Sequence, residues 1–413
     1  MPEEALTDDN TSTDSPSGLG VLIFVSVTFG LAFGIYMTFI PLYWDELGMD
    51  RKLMGVIFSL SALGVFLLRI YVGRLSDIFG RKLFYGLSLG VACAAHFAAP
   101  MLSSKFMQGV LKGSREISAL VRETMHSVLL YERSAKKFMG SIGITRGAEF
   151  TCHGIGSLIG GWLLVAATSA GSQPNYKAPL LFSAGILLLS TVVFIGFFKA
   201  RRVAPQPGNE KVTSLRALLP MGLSPKLWLL IAFGFTFYVG LWATHCHVMV
   251  LFFKEMLSES LQLGTTDMIM GVAIIMAIHR IVAGLPMMIA GPRLRTNLKG
   301  LFIIFVFCEG AALAGAPFIP NPWIAIAVWL THDLLGAGIW SPIYSEYIQK
   351  HARPESRAAD VSKVQGLSQL GGVVGPLLAS ALDNVEIGHY SVGAPLVVGG
   401  IIIMLSAFIL LKL

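Results

Sequence analysis

The sequence predicts an all-α membrane protein of twelve transmembrane helices. Three observations carry that reading. The 413-residue chain is 54% hydrophobic and only 13% charged, whereas ordinary globular domains carry about 25% charged residues. Its mean hydropathy is +0.69. Its apolar residues gather into runs near the length that a spanning helix needs, about 20 residues, separated by short charged connections. Open-edged sheets cannot satisfy their backbone in lipid, so the spans must be helices.

The chain opens on a polar tail, 1–18, which holds Glu3, Glu4, Asp8, Asp9 and Asp14 and no Lys or Arg. With no basic segment and no small-residue cleavage site ahead of the first apolar run, it reads as a disordered cytoplasmic tail, not a signal peptide. Six runs follow, at 19–42, 53–72, 83–102, 106–130, 138–168 and 178–198. The stretch 199–226 is basic, contains Pro205, Pro207 and Gly208, and reads as a cytoplasmic linker. Six more runs complete the count, at 227–253, 267–290, 300–319, 323–347, 361–381 and 393–411.

Lys and Arg in the connections set the orientation. With the N-terminus inside, the inner connections 73–82, 131–137, 199–226, 291–299 and 349–359 hold 18 basic residues. The outer ones hold five, Arg51, Lys52, Lys105, Lys177 and Lys254. Both termini are therefore expected in the cytoplasm. The net charge of +7 is a topology signal, and no basic stripe with interleaved aromatics suggests nucleic acid. The four cysteines, Cys93, Cys152, Cys246 and Cys308, all fall inside apolar runs, which argues against disulfides.

The two sides of the linker look related. Arg69-Ile70 with Gly73 and Gly80 matches Arg280-Ile281 with Gly284 and Gly291 at an offset of 211. Gly147…Gly156-Ser157 matches Gly366…Gly375-Pro376 at an offset of 219. The connection Gly73-Arg74-Leu75-Ser76-Asp77-Ile78-Phe79-Gly80-Arg81-Lys82 has the pattern G-x-x-x-D-x-x-G-R-K. It resembles the signature between the second and third helices of the major facilitator superfamily of secondary transporters.

That resemblance spans 19–411. It implies two pseudo-symmetric six-helix bundles, 19–198 and 227–413, with a solute site between them near the bilayer midplane. Met288 stands where the first copy of the motif has Asp77, so any charged role rests on Gly73, Asp77, Gly80, Arg81 and Lys82. Lys105-Phe106-Met107-Gln108-Gly109 resembles the helix-four motif, with Lys in place of the usual Arg. Gly143, Gly156, Gly160 and Gly161 resemble the helix-five signature of antiporters, with Cys152 and Ser157 in place of Gly and Pro. Helix eleven keeps Gly375-Pro376, and its glycines read as close-packing positions. The segment 105–161 looks like bacterial drug or solute transporters. The whole chain is more faintly similar to permeases of the magnetosome membrane, which are associated with iron uptake.

Helix four carries Lys112, Arg115, Glu116, Arg122, Glu123 and His126 on one face. Charges in the bilayer centre are costly and usually face a cavity or one another. Arg115 and Glu116 are read as a hydrated wall that touches an ion or an anionic solute. A self-neutralising network is the alternative, and it suits Arg122 and Glu123 best. In helix five, Arg146, Glu149 and His153 share a face. Glu149 is either a group that titrates with solute binding or a static partner of Arg146.

Helix seven holds Thr244-His245-Cys246-His247 and Met249, with imidazole, thiol and thioether groups suited to transition metals. Neighbours diverge by about 100° on a helix. His245 can thus share an ion with Met249, or His245 or His247 with a residue from another helix. Pore-lining or packing histidines without metal are the other reading. His279, Arg280, Glu309, His332 and Asp333 are further polar groups in apolar runs. Glu309 and Asp333 join Arg115, Glu116, Arg146, Glu149 and His153 as candidate solute or coupling groups.

No phosphate-binding loop, nucleophile elbow or HExxH occurs, so neither an enzyme nor a bound cofactor is expected. The reading that remains is a gradient-driven permease for a small molecule or metal ion, with protons as the candidate coupling ion. It would sit in a bacterial inner membrane or one derived from it. The alternatives are an iron permease of a specialised membrane such as the magnetosome, and a non-transporting scaffold built on the same fold.

Overall fold

The computed structural model describes residues 17–133, 138–168, 174–199, 222–290, 298–335, 337–353, 357–383 and 385–413. The acidic tail before Ser17 and nearly all of the predicted linker lie outside them. Fifteen helices form, and no strand occurs among the described residues. They are α1 (Ser17–Glu46), α2 (Arg51–Phe79), α3 (Arg81–Ala98), α4 (Lys105–Arg133), α5 (Phe138–Ala167), α6 (Lys177–Phe197), α7 (Pro225–His245) and α8 (Val248–Glu255). After them come α9 (Thr265–Ala290), α10 (Leu298–Gly315), α11 (Pro322–Leu335), α12 (Ala337–His351), α13 (Arg357–Gln369), α14 (Gly371–Ala381) and α15 (Gly393–Ile409).

Three crossings are each built from two helices, α7–α8, α11–α12 and α13–α14, which gives the twelve that the apolar runs predict. Ten stretches are long and apolar enough to cross a membrane. The charged face of α4 and the interruption at Leu370 keep the other two crossings from that set. Large apolar side chains such as Leu60, Phe106, Trp162 and Phe197 point outward, as they do where lipid is the solvent.

Two boundaries differ from expectation. The predicted connection 73–82 is mostly helix: α2 runs to Phe79 and α3 starts at Arg81. Gly80 alone makes the reversal, at φ +96°, a conformation that a side chain would oppose. The seventh run is not one rod, because α7 stops at His245 and Cys246 leaves helical geometry with ψ −109°.

The packing has a simple plan. Helix α1 lies against α5 and α6, α3 against α4 and α6, and α2 against α4. On the other side, α7 lies against α13, α14 and α15, and α10 against α11 and α15. Two seams join these groups, α5 along α9 and α2 along α14. Small residues permit the close approach: a Cβ added to Gly154 would meet the Ala277 carbonyl oxygen at 2.5 Å.

The face at which α1 ends is latched twice across the groups. Lys254 of α8 pairs with Asp45 of α1, and Arg51 of α2 lies 3.3 Å from Asp383 just beyond α14. Among the described residues no other ion pair joins α1–α6 to the later helices.

Candidate functional site

Helix α4 places its charges inward near mid-span. Lys112 and Arg115 are each only 1% exposed, yet both reach the carboxylate of Glu116, which is 21% exposed. Lys112 pairs with Glu116 across one turn. Arg115 Nη1 donates to Glu116 Oε1 at 2.6 Å. Aromatic rings from α1 and α2 support the cations: the Arg115 guanidinium lies 3.6 Å above Phe33, and Lys112 Nζ lies 4.5 Å from the Phe58 centroid. A cation over a ring face is favoured, more so when desolvated. Two cations against one carboxylate leave this cluster with a surplus positive charge. Arg115 Nε and Nη2 have no hydrogen-bond partner among the described residues.

Nearer the end at which α1 begins, α4 and α5 exchange partners. Arg122 pairs with Glu149, and Arg146 pairs with Glu123. The expected Arg146–Glu149 pair on one helix is thus replaced by two pairs between helices, which brace α4 against α5. Arg122 also lies 3.8 Å from the Phe29 ring, and Tyr85 Oη meets His126 Nδ1 at 3.0 Å. His153 is buried on α5 with its ring edge-on to Phe33, centroids 4.7 Å apart. That places it beside the ring that carries Arg115.

The later helices hold a second polar cluster. His245 ends α7, His279 sits in α9, and His332 and Asp333 sit in α11, all near the middle of their spans. The three imidazoles form a triangle with centroids 5.0, 5.3 and 5.6 Å apart. Their ligand nitrogens lie within 4.8 Å of one another. His245 Nε2 is 3.0 Å from His332 Nε2. Asp333 abuts His279 through one oxygen and lies 3.6 Å from His332 Nε2 through the other. Trp329 covers the rings, with centroids 4.3 to 5.7 Å away.

Of the candidate ligands near His245 on its own segment, neither joins it. His247 falls in the break between α7 and α8 with its ring 6.1 Å from Phe58, and Met249 is buried in the apolar core. Glu309 is fully buried on α10 and accepts one hydrogen bond, from Trp340 Nε1 at 2.7 Å, while its other oxygen has no partner among the described residues. In the loop motif, Gly80 makes the turn and Lys82 Nζ donates to the Ile195 carbonyl at 2.9 Å. Arg81 opens α3. Gly73 and Asp77 belong to a helical stretch whose side chains lie outside the described set. Lys105 donates to the Gly48 carbonyl at 2.6 Å, and Gln108 bridges Trp44 and the Ala99 carbonyl. That motif therefore braces the latched face.

Spacing along one chain could not reveal Phe33, Phe58 or Trp340 as site partners, because each lies on a different helix from the group it supports. The sequence profile of the Major Facilitator Superfamily matches residues 22–376. The chain belongs to the major facilitator superfamily. Its fold is also that of solved members. A mutant form of the nucleoside transporter NupG superposes with a TM-score of 0.73 at 14% identity, covering 95% of this chain and 99% of that one. The human organic anion transporter MFSD10 (TETRAN) gives a TM-score of 0.67 at 12% identity, covering 96% and 99%. No curated protein sequence matches significantly. As a major facilitator chain, it is a multi-pass integral membrane protein of a transporter family, not of an enzyme family.

Proposed function

We propose that the protein is a gradient-driven secondary transporter that moves a small solute bearing an anionic group. The two six-helix halves would rock about a midplane site. The observation that supports this most is Arg115, a buried cation near mid-span with an unpaired Nε/Nη2 edge. That edge has the planar fork geometry that carboxylates and phosphates accept. Lys112 adds a second positive charge, and Glu116 offsets only one of the two.

A scaffold has no use for such groups, whose burial costs several kcal/mol each when unpaired. Glu116 and Glu149 are the proposed coupling carboxylates, and protons are the proposed coupling ion. The basic inner connections favour cytoplasmic termini, and the resemblance of 105–161 to bacterial transporters favours a bacterial inner membrane or its derivative. The state described would then be closed to the outside, since both latches lie at the face where α1 ends.

The test is an accumulation panel in cells lacking or overproducing the protein. It uses organic anions, dyes, iron, manganese and zinc at two external pH values. Glu116→Gln and Glu149→Gln should each abolish uptake of the transported compound while leaving membrane insertion intact. Undiminished transport in both variants would remove these carboxylates from the mechanism. A transition-metal cation is the second candidate solute, favoured by the histidine triangle of α7, α9 and α11.

A further inference from the structure

We infer that His245, His279 and His332, with Asp333, form a binding site for one divalent transition-metal ion of the zinc–cobalt–nickel–iron class. The inference gives the second reading its ligands, but it rests on the geometry of the cluster.

The Nδ1 side of each ring is already occupied by protein. His332 Nδ1 lies against the Trp329 carbonyl oxygen. A carbonyl only accepts, so that nitrogen carries the proton and Nε2 carries the lone pair. His245 Nδ1 lies 3.1 Å from the Leu241 carbonyl oxygen and 2.7 Å from Thr244 Oγ1. The Thr244 hydroxyl is itself 2.8 Å from that same carbonyl, to which it donates, so in its Nδ1–H tautomer His245 is anchored by two oxygens. His279 Nδ1 abuts the Asp333 carboxylate, and neither ring nitrogen makes a hydrogen bond among the described residues.

Two consequences follow from these tautomers. The Nε2 atoms of His245 and His332 meet at 3.0 Å, a contact that either a proton or a metal ion shared between them would satisfy. And the rings of His245 and His332 show the anchoring that metal-bound histidines share, one nitrogen held by a protein oxygen and the other left for the ion, while His279 lies against the Asp333 carboxylate. Nitrogens bound to one tetrahedral ion at about 2.0–2.1 Å stand a little over 3 Å apart, close to the observed pair.

Asp333 supplies the only negative charge in the cluster. Its second oxygen, 3.6 Å from His332 Nε2, makes it the candidate fourth ligand. Neutral imidazoles with one carboxylate suit zinc, cobalt, nickel or iron, while magnesium and calcium prefer all-oxygen shells. Trp329 supplies the apolar cover. Arg280, next to His279, lies over the Phe150 ring of α5 at 5.8 Å. His245 is the most accessible of the three histidines.

The experiment is cobalt(II) titration of the purified full-length protein in detergent, followed by visible absorption and metal-to-protein ratio, with no transport step. One cobalt per chain, with ligand-field bands that zinc displaces and magnesium does not, is the expected result. His279→Ala and His332→Ala should each weaken binding at least a hundredfold. Asp333→Asn should weaken it ten- to a hundredfold, and His247→Ala should leave it unchanged. All variants are compared as monodisperse material, and His279→Gln replaces His279→Ala if the latter does not fold. Absence of stoichiometric cobalt in the wild type would overturn the site, and so would a protonated histidine pair seen by NMR that cobalt does not perturb. Equal loss in His247→Ala and His279→Ala would overturn the ligand assignment. Any of these outcomes leaves the Arg115 reading standing, since that reading is tested by uptake of anions.

Discussion

At the scale of single residues, charge alone does not explain the α4 cluster; hydrogen-bond geometry matters as much. Arg115→Lys keeps the positive charge and removes the planar fork. The expected outcome is a protein that inserts normally and needs at least about tenfold more solute for half-maximal uptake, since hydrogen bonds to charged groups contribute about 1.5–3 kcal/mol. A concentration series of uptake checks it. A second residue pair lies at the first turn of α13, ahead of the apolar run 361–381. Arg353 donates to both oxygens of Asp360 at 2.7 and 2.9 Å, and to one of them again through its backbone N–H. These bonds hold the Asp360 carboxyl below its ordinary value of 3.8. A depressed carboxylate stabilises the fold above its unfolded value and loses that contribution as pH falls through the lower folded value. Asp360→Asn should therefore melt earlier than wild type at neutral pH, by about 1–2 kcal/mol after allowing for the exposed Arg353. The gap should close only below about pH 4, and thermal unfolding at several pH values measures it. The identity of the charged residues was legible in the sequence, but their pairing was not. Arg146 and Glu149, three apart on one helix, each choose a partner on α4, because side-chain reach between packed helices competes with reach along one.

At the scale of elements, the apolar runs were read almost to their ends, because lipid demands a long uninterrupted stretch and sequence shows such stretches directly. Breaks inside a run were not legible. Nothing in Thr244-His245-Cys246-His247 marks a helix end, and the interruption arises where His245 turns toward α9 and α11. The α2 end was misjudged for the opposite reason: the charged residues of 73–79 look like a loop, yet they continue a helix that Gly80 terminates. The α5–α9 seam makes a firm prediction. Gly154→Leu would drive a side chain into the Ala277 carbonyl, and overpacking of this kind costs about 1–3 kcal/mol. The variant should melt at a lower temperature in detergent, whereas Gly185→Leu, with open space around it, should melt like wild type.

At the scale of the whole molecule, the two latches on the face where α1 ends tie the earlier helices to the later ones. Both are partly exposed, so each is worth at most about 1 kcal/mol. Removing them together, as Asp45→Asn with Asp383→Asn, should shift the population toward opening at that face by several-fold. Labelling of a cysteine placed near Gly48 by a membrane-impermeant reagent reads this directly; no gain in labelling would mean that the latches do not hold the state. The fold as a whole was legible from twelve runs and one loop pattern, while the chemistry was divided. The α4 face stood out along a single helix. The histidine triangle did not, because it draws one residue from each of three helices whose adjacency only packing creates.

The one-residue hinge at Gly80 has a mechanical consequence. A leash that short gives no slack, so any tilt of α2 along its seam with α14 is inherited by α3. Lys82, riveted to the end of α6, hands the same tilt onward. Motion that begins at one seam would thus recruit three helices at once, and lengthening the leash with inserted glycines should uncouple them.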